Sequence, residues 1–313
     1  MGSDPIALPM LNALVEEAAE AVEVVGVFTQ PDRAVGRGQK IVPNEIKRWA
    51  IEQNIRVFQP SKITAEVNEE LAELHPDVSL VMAYGHILKE GFMTIPSQGT
   101  LNLHTSILPK YRGASPIQSA VVSGDTETGV TLMRIVRELD AGPIADVERV
   151  PIERGETAAD IESKLAEACV PLLRRNLPAL AAGKLVFTEQ NHREASFCRK
   201  LTKADGVLDF AAPAEILAAR INGLHPWPGV RIEMSDHVIR VASAAAEEGH
   251  GRIGEVTAID DQAIVVGTGK GMLRLLRLQR PGGRMMPAGD FVRGFSVELG
   301  TTIPSREMPN LIS

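Results

Sequence analysis

Leu101-Asn102-Leu103-His104-Thr105-Ser106-Ile107-Leu108-Pro109-Lys110-Tyr111-Arg112 opens as an apolar strand and closes in a loop stiffened by proline. A second apolar run, residues 78–83, lies just upstream. Asn102 and His104 are two apart, so an extended chain points both side chains to one face. Asn102 offers a neutral amide donor. His104 is the side chain that gains or loses a proton near neutral pH. An amide, an imidazole and a rigid turn at a strand end suit acyl or one-carbon transfer, where an oxyanion needs donors and an amine must lose a proton. By themselves the same residues also fit a β-edge with an incidental histidine.

Outward from this stretch, strands alternate with helices. Ser3-Asp4-Pro5 reads as a helix start, with cap residues before a first-turn proline. Apolar residues then recur with helical period from Met10 to Val22. Strands are expected at 24–29, around Val57, and at 78–83, 100–104, 129–135 and 144–150. Helices are expected at 66–74, 116–123 and 158–180, and a partly helical segment at 41–53. Such alternation implies an α/β domain with an open, mostly parallel sheet. In those sheets ligands bind at the carboxyl ends of strands, where His104 lies. After residue 183 the texture changes. One helix (213–222) is followed by short β-like runs at 230–234, 238–241, 254–259, 263–267 and 272–278, the pattern of a small OB-like β-barrel.

At 313 residues the chain exceeds one ordinary core, so two domains are expected. Aromatic residues make up 4% of the chain, too few for a surface built on base stacking. Cys169 and Cys198 match no metal or redox spacing and suit a reducing cytosol. No Lys or Arg occurs in the first 32 residues, so the basic start of a secretory signal is missing. No apolar run reaches the ~18 residues of a membrane helix. A cytoplasmic location, no membrane and a monomer are therefore expected.

Net charge is −7, which by itself disfavours a nucleic-acid partner. The charge is uneven, however. Residues 189–313 carry 15 basic and 15 acidic side chains, so the whole excess lies upstream. Within them Lys270, Arg274, Arg277, Arg280, Arg284 and Arg293 share their stretch with Asp290 alone as counter-charge. Such a local stripe attracts phosphate regardless of the total; a solvated charged face is the other reading.

Two further motifs bear on the chemistry. Asp140 sits in a Gly/Pro turn, Arg137-Glu138-Leu139-Asp140-Ala141-Gly142-Pro143, between two strand-like runs. Turn aspartates commonly serve their own backbone, yet folding of the sheet can bring this one beside His104 and orient the imidazole. Residues 30–40 form a Gly-rich loop carrying Arg33, Arg37 and Lys40. It lacks the endings of a P-loop and of a dinucleotide fingerprint, but a basic loop can embrace phosphates without either. Pro226-Trp227-Pro228 reads as a packed apolar corner. Tyr84-Gly85-His86 follows the 78–83 strand at its carboxyl end, where it either lines the cleft of His104 or simply packs.

Together these motifs resemble the methionyl-tRNA formyltransferase family over nearly the whole chain. The carriers are Val27-Phe28-Thr29-Gln30-Pro31-Asp32-Arg33 with Gly36-Arg37-Gly38, Ala83-Tyr84-Gly85, the stretch from Asn102 to Pro109 with Tyr111-Arg112-Gly113-Ala114-Ser115-Pro116-Ile117, Glu127-Thr128-Gly129-Val130-Thr131, and Leu139-Asp140-Ala141-Gly142. Lys200-Leu201-Thr202-Lys203 and Pro226-Trp227-Pro228 extend the likeness to the second domain. The Asn-x-His and Leu-Asp-x-Gly elements are shared with glycinamide ribonucleotide and sugar formyltransferases, which remain alternatives at this point, as does a non-catalytic tRNA- or nucleotide-binding protein.

The resemblance implies a Rossmann-like formyltransferase domain over residues 1–185, a linker over 186–203 and an OB-like tRNA-binding domain over 204–313. It implies Asn102, His104 and Asp140 as the catalytic set, and N10-formyltetrahydrofolate as formyl donor, lined by Ser106, Ile107, Leu108, Pro109, Tyr84 and Gly85. It also implies initiator methionyl-tRNA as acceptor, gripped by Arg33, Arg37 and Lys40, with no metal. Family members start with a short apolar strand before the turn that Met1-Gly2-Ser3 occupies here. The first strand of the sheet is therefore expected to be missing from this sequence and to lie upstream of Met1.

Overall fold

The computed structural model describes residues 1–17, 21–35 and 38–313. Its contacts divide the chain into two compact units. The first comprises Met1–Arg112, Gly129–Val150 and Glu162–Ala195; the second comprises Gly113–Thr128, Pro151–Ile161 and Ser196–Ser313.

In the first unit, strand Thr100–His104 pairs parallel with Ser79–Val81 and antiparallel with Glu127–Arg134, which lies beside Ile144–Pro151. Thr100, Leu101, Leu103 and His104 are all buried, so the strand is covered on both faces. The order and spans follow the apolar runs read above, and the sheet is mixed because Glu127–Arg134 runs against its neighbour. Helices Glu45–Glu52 and Ala65–Ala72 come from the same unit. Asn44 caps the first by accepting the Lys47 N–H at 2.9 Å. The Asp4 cap is also realised, accepting the Ile6 N–H at 3.0 Å. Phe28 stacks on Phe58 with ring centroids 4.5 Å apart and meets Phe92 edge-on.

Two strands are shorter than their apolar runs. The expected 24–29 strand is realised as Val27–Phe28, paired parallel with Val57–Phe58. The expected 78–83 strand is realised as Ser79–Val81. These belong to separate ladders. Among the described residues Met1, Gly2 and Ser3 lie between them. The Met1 amine donates to Leu80 O at 2.6 Å and Met82 N to Met1 O at 2.9 Å. Gly2 N donates to Phe28 O at 3.1 Å, and Ser3 N to Ala83 O at 3.1 Å. Among the described residues, the ladder partner of Val27–Phe28 is Val57–Phe58 and that of Ser79–Val81 is Thr100–His104.

The second unit holds a six-stranded antiparallel sheet in the order Val230–Met234, His237–Glu247, Met272–Gln279, Ile264–Gly267, Val256–Ile259, with Met286–Pro287 on Met272–Gln279. Helix Ala214–Gly223 packs on it. Asn222 secures the join: its amide donates to Ala244 O at 3.0 Å and its oxygen accepts Ala244 N at 2.9 Å, where the long strand bulges. Helix Pro116–Val122 lies so close to this helix that a Cβ on Gly223 would come within 2.8 Å of Val122 N. The Pro-Trp-Pro corner differs from its reading. Leu224 carries the packing at 0% exposure, while Trp227 is 50% exposed.

Both cysteines are buried and neither forms a disulfide. Burial pushes the Cys169 thiol up to about 12.

Asp205 shows what holds the start of the second unit. Its carboxylate accepts from both Arg199 guanidinium ends and from Thr202 N at 2.6 Å and Oγ1 at 3.1 Å. The Arg199 bonds hold the Asp205 carboxyl below its ordinary 3.8, against the cost of burial. A depressed carboxyl stabilises the fold above its unfolded value and loses that contribution as pH falls through the folded value. Asp205→Asn is expected to cost ~1–3 kcal/mol at neutral pH. It should also flatten the fall of the urea midpoint between about pH 5 and about pH 2. An unchanged pH profile would remove Asp205 from this role.

Candidate functional site

Three devices place His104. Its strand ends there, buried at 6% exposure. The following loop curls back until Tyr111, at φ +58°, aims its carbonyl at the ring, and His104 Nε2 lies 3.0 Å from that oxygen. A carbonyl only accepts, so Nε2 carries a proton and donates it there. The third device is Thr131, directly across the ladder from His104. Its hydroxyl donates to Ser106 O at 2.6 Å and accepts Leu108 N at 3.1 Å. Ser106 in turn donates its hydroxyl to Lys110 O at 2.6 Å. The loop is thus tied at both ends to the strand pair beneath it.

With Nε2 engaged, Nδ1 is the nitrogen left to exchange a proton. Asp140 Oδ2 lies 3.8 Å from it, an ion-pair distance longer than a hydrogen bond. Asp140 sits at φ +47°, in the left-handed region that Asp tolerates better than most side chains. Gly142 follows because a Cβ there would come within 2.0 Å of Arg134 O. Asn102, half-buried, stands two residues before His104 on the same strand face. The expected trio of Asn102, His104 and Asp140 is therefore gathered on one strand end and the turn beside it.

Residues that the sequence reading did not single out complete this arrangement. Gln190 is buried and uses its whole amide. It donates to Asp140 O at 2.9 Å and Gly142 O at 2.7 Å, and accepts from Arg112 Nε at 3.2 Å and Nη2 at 2.7 Å. Arg112 Nη2 also donates to His192 Nδ1 at 2.9 Å. Burial lowers the Arg112 guanidinium from its ordinary value, and the Asp140 charge opposes that shift. Gln190 lies in a polar segment without period, so no local pattern marks it. Arg112 and Thr131 stand inside quoted motifs, and only the fold shows what they hold.

The residues expected to line a folate divide in two. Ile107, Pro109 and Gly85 present surface, Gly85 at φ +81°. Ser106, Leu108 and Tyr84 are buried. Tyr84 lies in the buried cluster that includes Phe28 and Phe92, and burial raises its phenol far above the ordinary range. Its carbonyl accepts from Ser3 Oγ at 3.0 Å and Gln30 Nε2 at 3.3 Å. These three shape the loops from within.

The basic loop is a hairpin, Arg33–Val35 against Lys40–Val42. Arg33 and Lys40 are exposed, and Arg37 lies outside the described residues. Asp32 anchors the base by accepting from Gln59 Nε2 at 2.7 Å and Lys47 Nζ at 2.7 Å, which together lower its carboxyl. Ile41 is 69% exposed beside the cations. In the second unit the basic stripe is partly neutralised. Arg274 pairs with Glu247 at 3.1 Å and Asp260 at 3.2 Å, and Arg293 pairs with Asp290. Arg277, Arg280 and Arg284 remain exposed. Among the described residues no group of three or more His, Cys, Asp or Glu side chains is arranged to hold a metal ion.

The formyl transferase family model matches residues 2–177, and that of the formyl transferase C-terminal domain matches residues 200–296. The methionyl-tRNA formyltransferase of Halorhodospira halophila is 40% identical over 295 residues, covering 94% of both chains. That of Ectopseudomonas mendocina is 39% identical over 92% of this chain and 91% of its own. Among solved structures, the sugar 3N-formyl transferase WlaRD, crystallised with dTDP and 5-N-formyl-THF, superposes with a TM-score of 0.66 at 18% identity. It covers 90% of this chain and 97% of its own. The N-formyltransferase of Helicobacter canadensis gives the same TM-score, covering 88% and 97%. At that identity the two show a shared fold.

Replacing the Gln190 amide should loosen the turn that carries Asp140. Gln190→Leu leaves two carbonyls and a buried guanidinium without their partner, which costs ~2–4 kcal/mol. A urea midpoint equal to that of the parent chain would show that the turn holds without the clamp.

Proposed function

The chain belongs to the methionyl-tRNA formyltransferase family, and on that premise we propose which of its residues carry the reaction. It is an enzyme that transfers a formyl group to the methionine borne by initiator tRNA, for translation initiation. The donor in this proposal is N10-formyltetrahydrofolate, a co-substrate. Ile107, Pro109 and Gly85 meet it through their exposed surfaces, while Ser106, Leu108 and Tyr84 fix the backbone beneath.

The observation that carries the mechanism is the division of labour on the His104 ring. Nε2 is held by the Tyr111 carbonyl, and Nδ1 faces Asp140 at 3.8 Å without a hydrogen bond to it. The proton that His104 lends therefore sits on Nδ1. When the neutral α-amine of methionine attacks the formyl carbon, negative charge builds on the formyl oxygen. The Asn102 amide and the Nδ1 proton donate to that oxygen. The Asp140 carboxylate faces the ring and draws the proton that the amine sheds, through water. That proton leaves with the departing folate nitrogen as the carbon–nitrogen bond to the donor breaks. Amide donors and an imidazolium supply this stabilisation without a metal.

Arg33 and Lys40, on the hairpin that Asp32 anchors, take the tRNA acceptor end together with Arg37 in this proposal. Arg277, Arg280 and Arg284 offer a second cationic surface for its backbone. Residues 1–185 act as the catalytic domain, 186–203 as a linker and 204–313 as the tRNA-binding domain. No described helix is long and apolar enough to cross a membrane, and the proposal includes a monomer at work in the cytoplasm.

Removing one oxyanion donor of this kind costs ~10²–10³ in turnover. Asn102→Ala should lose that much kcat with a smaller change in affinity for methionyl-tRNA, scored as formyl-methionine released from charged initiator tRNA. Near-normal turnover would refute its role. The hairpin cations act on binding instead. Lys40→Ala and Arg37→Ala should each lower the slope of log affinity against log salt by about one unit per lost phosphate contact. A slope equal to the parent's would take the hairpin out of the tRNA interface.

A further inference from the structure

Gln30 stands between the basic hairpin and the turn that carries Gly85, with its side-chain amide bonded to both. Its backbone is fixed first. Gln30 N donates to Ser3 Oγ at 3.0 Å, and Gln30 O accepts from Asn44 Nδ2 at 3.0 Å and Gln59 Nε2 at 2.9 Å. The Gln59 amide nitrogen also donates to Asp32 Oδ1 at 2.7 Å, so the chain is held on both sides of Pro31. What remains to move at Gln30 is its side chain. Nε2 donates to Tyr84 O at 3.3 Å, and Oε1 accepts from Arg33 Nη2 at 2.9 Å. The amide is planar, so its two ends turn together. A twist that lifts Oε1 from Arg33 also lifts Nε2 from Tyr84.

The turn that Gln30 reaches is strained. Ala83 at φ +46° and Gly85 at φ +81° flank Tyr84. Left-handed backbone is unfavourable for a residue with a Cβ, such as Ala83, and persists where the surroundings over-determine it. Three donors do so here. Ser3 N donates to Ala83 O at 3.1 Å, Ser3 Oγ to Tyr84 O at 3.0 Å, and Gln30 Nε2 to the same Tyr84 carbonyl. The amide also lies against Gly85, where a Cβ would meet Nε2 at 3.7 Å. Of these donors, the one from Gln30 is answerable to the hairpin. Arg33 is exposed, and its guanidinium presents five N–H groups in a planar fork. A phosphate can take the outer groups while Nη2 stays on Gln30.

We propose that Gln30 is a positioning residue that couples the two substrates. An acceptor phosphate on Arg33 steadies the Gln30 amide, and the amide steadies the Ala83–Gly85 turn against the folate. The inference rests on the reading above of Arg33 as a tRNA contact and of Gly85 as a folate-facing surface. Gln30 acts through these neighbours and not on the reacting atoms. Whichever ligand arrives first meets the cost of ordering the Arg33–Gln30–Tyr84 path, and the second is spared it. Each substrate therefore strengthens the binding of the other, by the same factor in both directions.

The test is a binding cycle. Affinity for 5-formyltetrahydrofolate is measured with and without saturating uncharged initiator tRNA, which carries no methionine amine to be formylated. The parent chain should bind the folate about five-fold more tightly when the tRNA is present. Gln30→Met fills similar space and keeps neither bond, so its ratio should fall to about one. Gln30→Glu keeps an acceptor for Arg33 but offers Tyr84 O no donor, and its ratio should fall as well. The ratio is the readout because a merely structural defect weakens folate binding with and without tRNA alike. Arg33→Ala should lower both the ratio and the affinity for tRNA. A parent ratio of one, or a ratio in Gln30→Met equal to the parent's, would overturn the inference while leaving the hairpin in the tRNA interface. Parent-like tRNA affinity and salt slope in Arg33→Ala would instead overturn the reading beneath it, and the inference with that reading. Should Gln30→Met not fold, Gln30→Glu decides: a parent-like ratio there overturns the coupling, and a ratio of one supports it.

Discussion

One hydrogen bond sets the chemistry of this protein: His104 Nε2 to the Tyr111 carbonyl, 3.0 Å long. It decides the tautomer, and so decides which nitrogen faces Asp140. The chain invests several features in it. Tyr111 takes a left-handed backbone to aim the carbonyl. Thr131 and Ser106 tie down the loop that brings it back. Arg112, the next residue, then engages Gln190, whose amide holds the carbonyls on either side of Ala141. The ring thus closes on itself: His104, Tyr111, Arg112, Gln190, Asp140 and back to His104. Preorganisation of this kind matters because donors that need not move at the moment of reaction cost no reorganisation.

The sequence made much of this legible, for identifiable reasons. Strand Thr100–His104 and the run at 264–267 are apolar stretches with partners on both sides, so hydrophobic pattern and ladder coincide. Asn102 and His104 follow from period two alone. Asp140 needed the fold, or a family likeness, because a turn aspartate is locally indistinguishable from a capping residue. Gln190 was illegible: it works through backbone carbonyls fifty residues away, and no periodicity encodes that. Tyr84 shows the converse limit. Its position at a strand end is readable, but whether its ring meets a ligand or the core depends on Phe28 and Phe92, which converge on it only in three dimensions.

Shortened strands carry a different lesson. Residues 24–29 are as apolar as any strand in the chain, yet the regular ladder covers Val27–Phe28. Strand propensity describes a side chain's fit to a pleated, half-buried surface, and that surface exists only where a neighbour supplies it. Val25 is accordingly left 36% exposed. A similar dependence on neighbours appears at Trp227, where a stiff Pro-Trp-Pro corner leaves its ring half in water while Leu224 packs beneath.

The burial of both thiols has a practical corollary. Thiolate is the form that alkylating labels attack. Cys169 is fully enclosed with its thiol held near 12, and Cys198 is 4% exposed with its sulfur accepting Ser115 N at 3.4 Å. The native protein is thus close to inert toward maleimides without any residue being removed. A single cysteine introduced at an exposed hairpin position, such as Ile41, would be the one reactive handle, ready for a dye or spin label that reports on the hairpin directly.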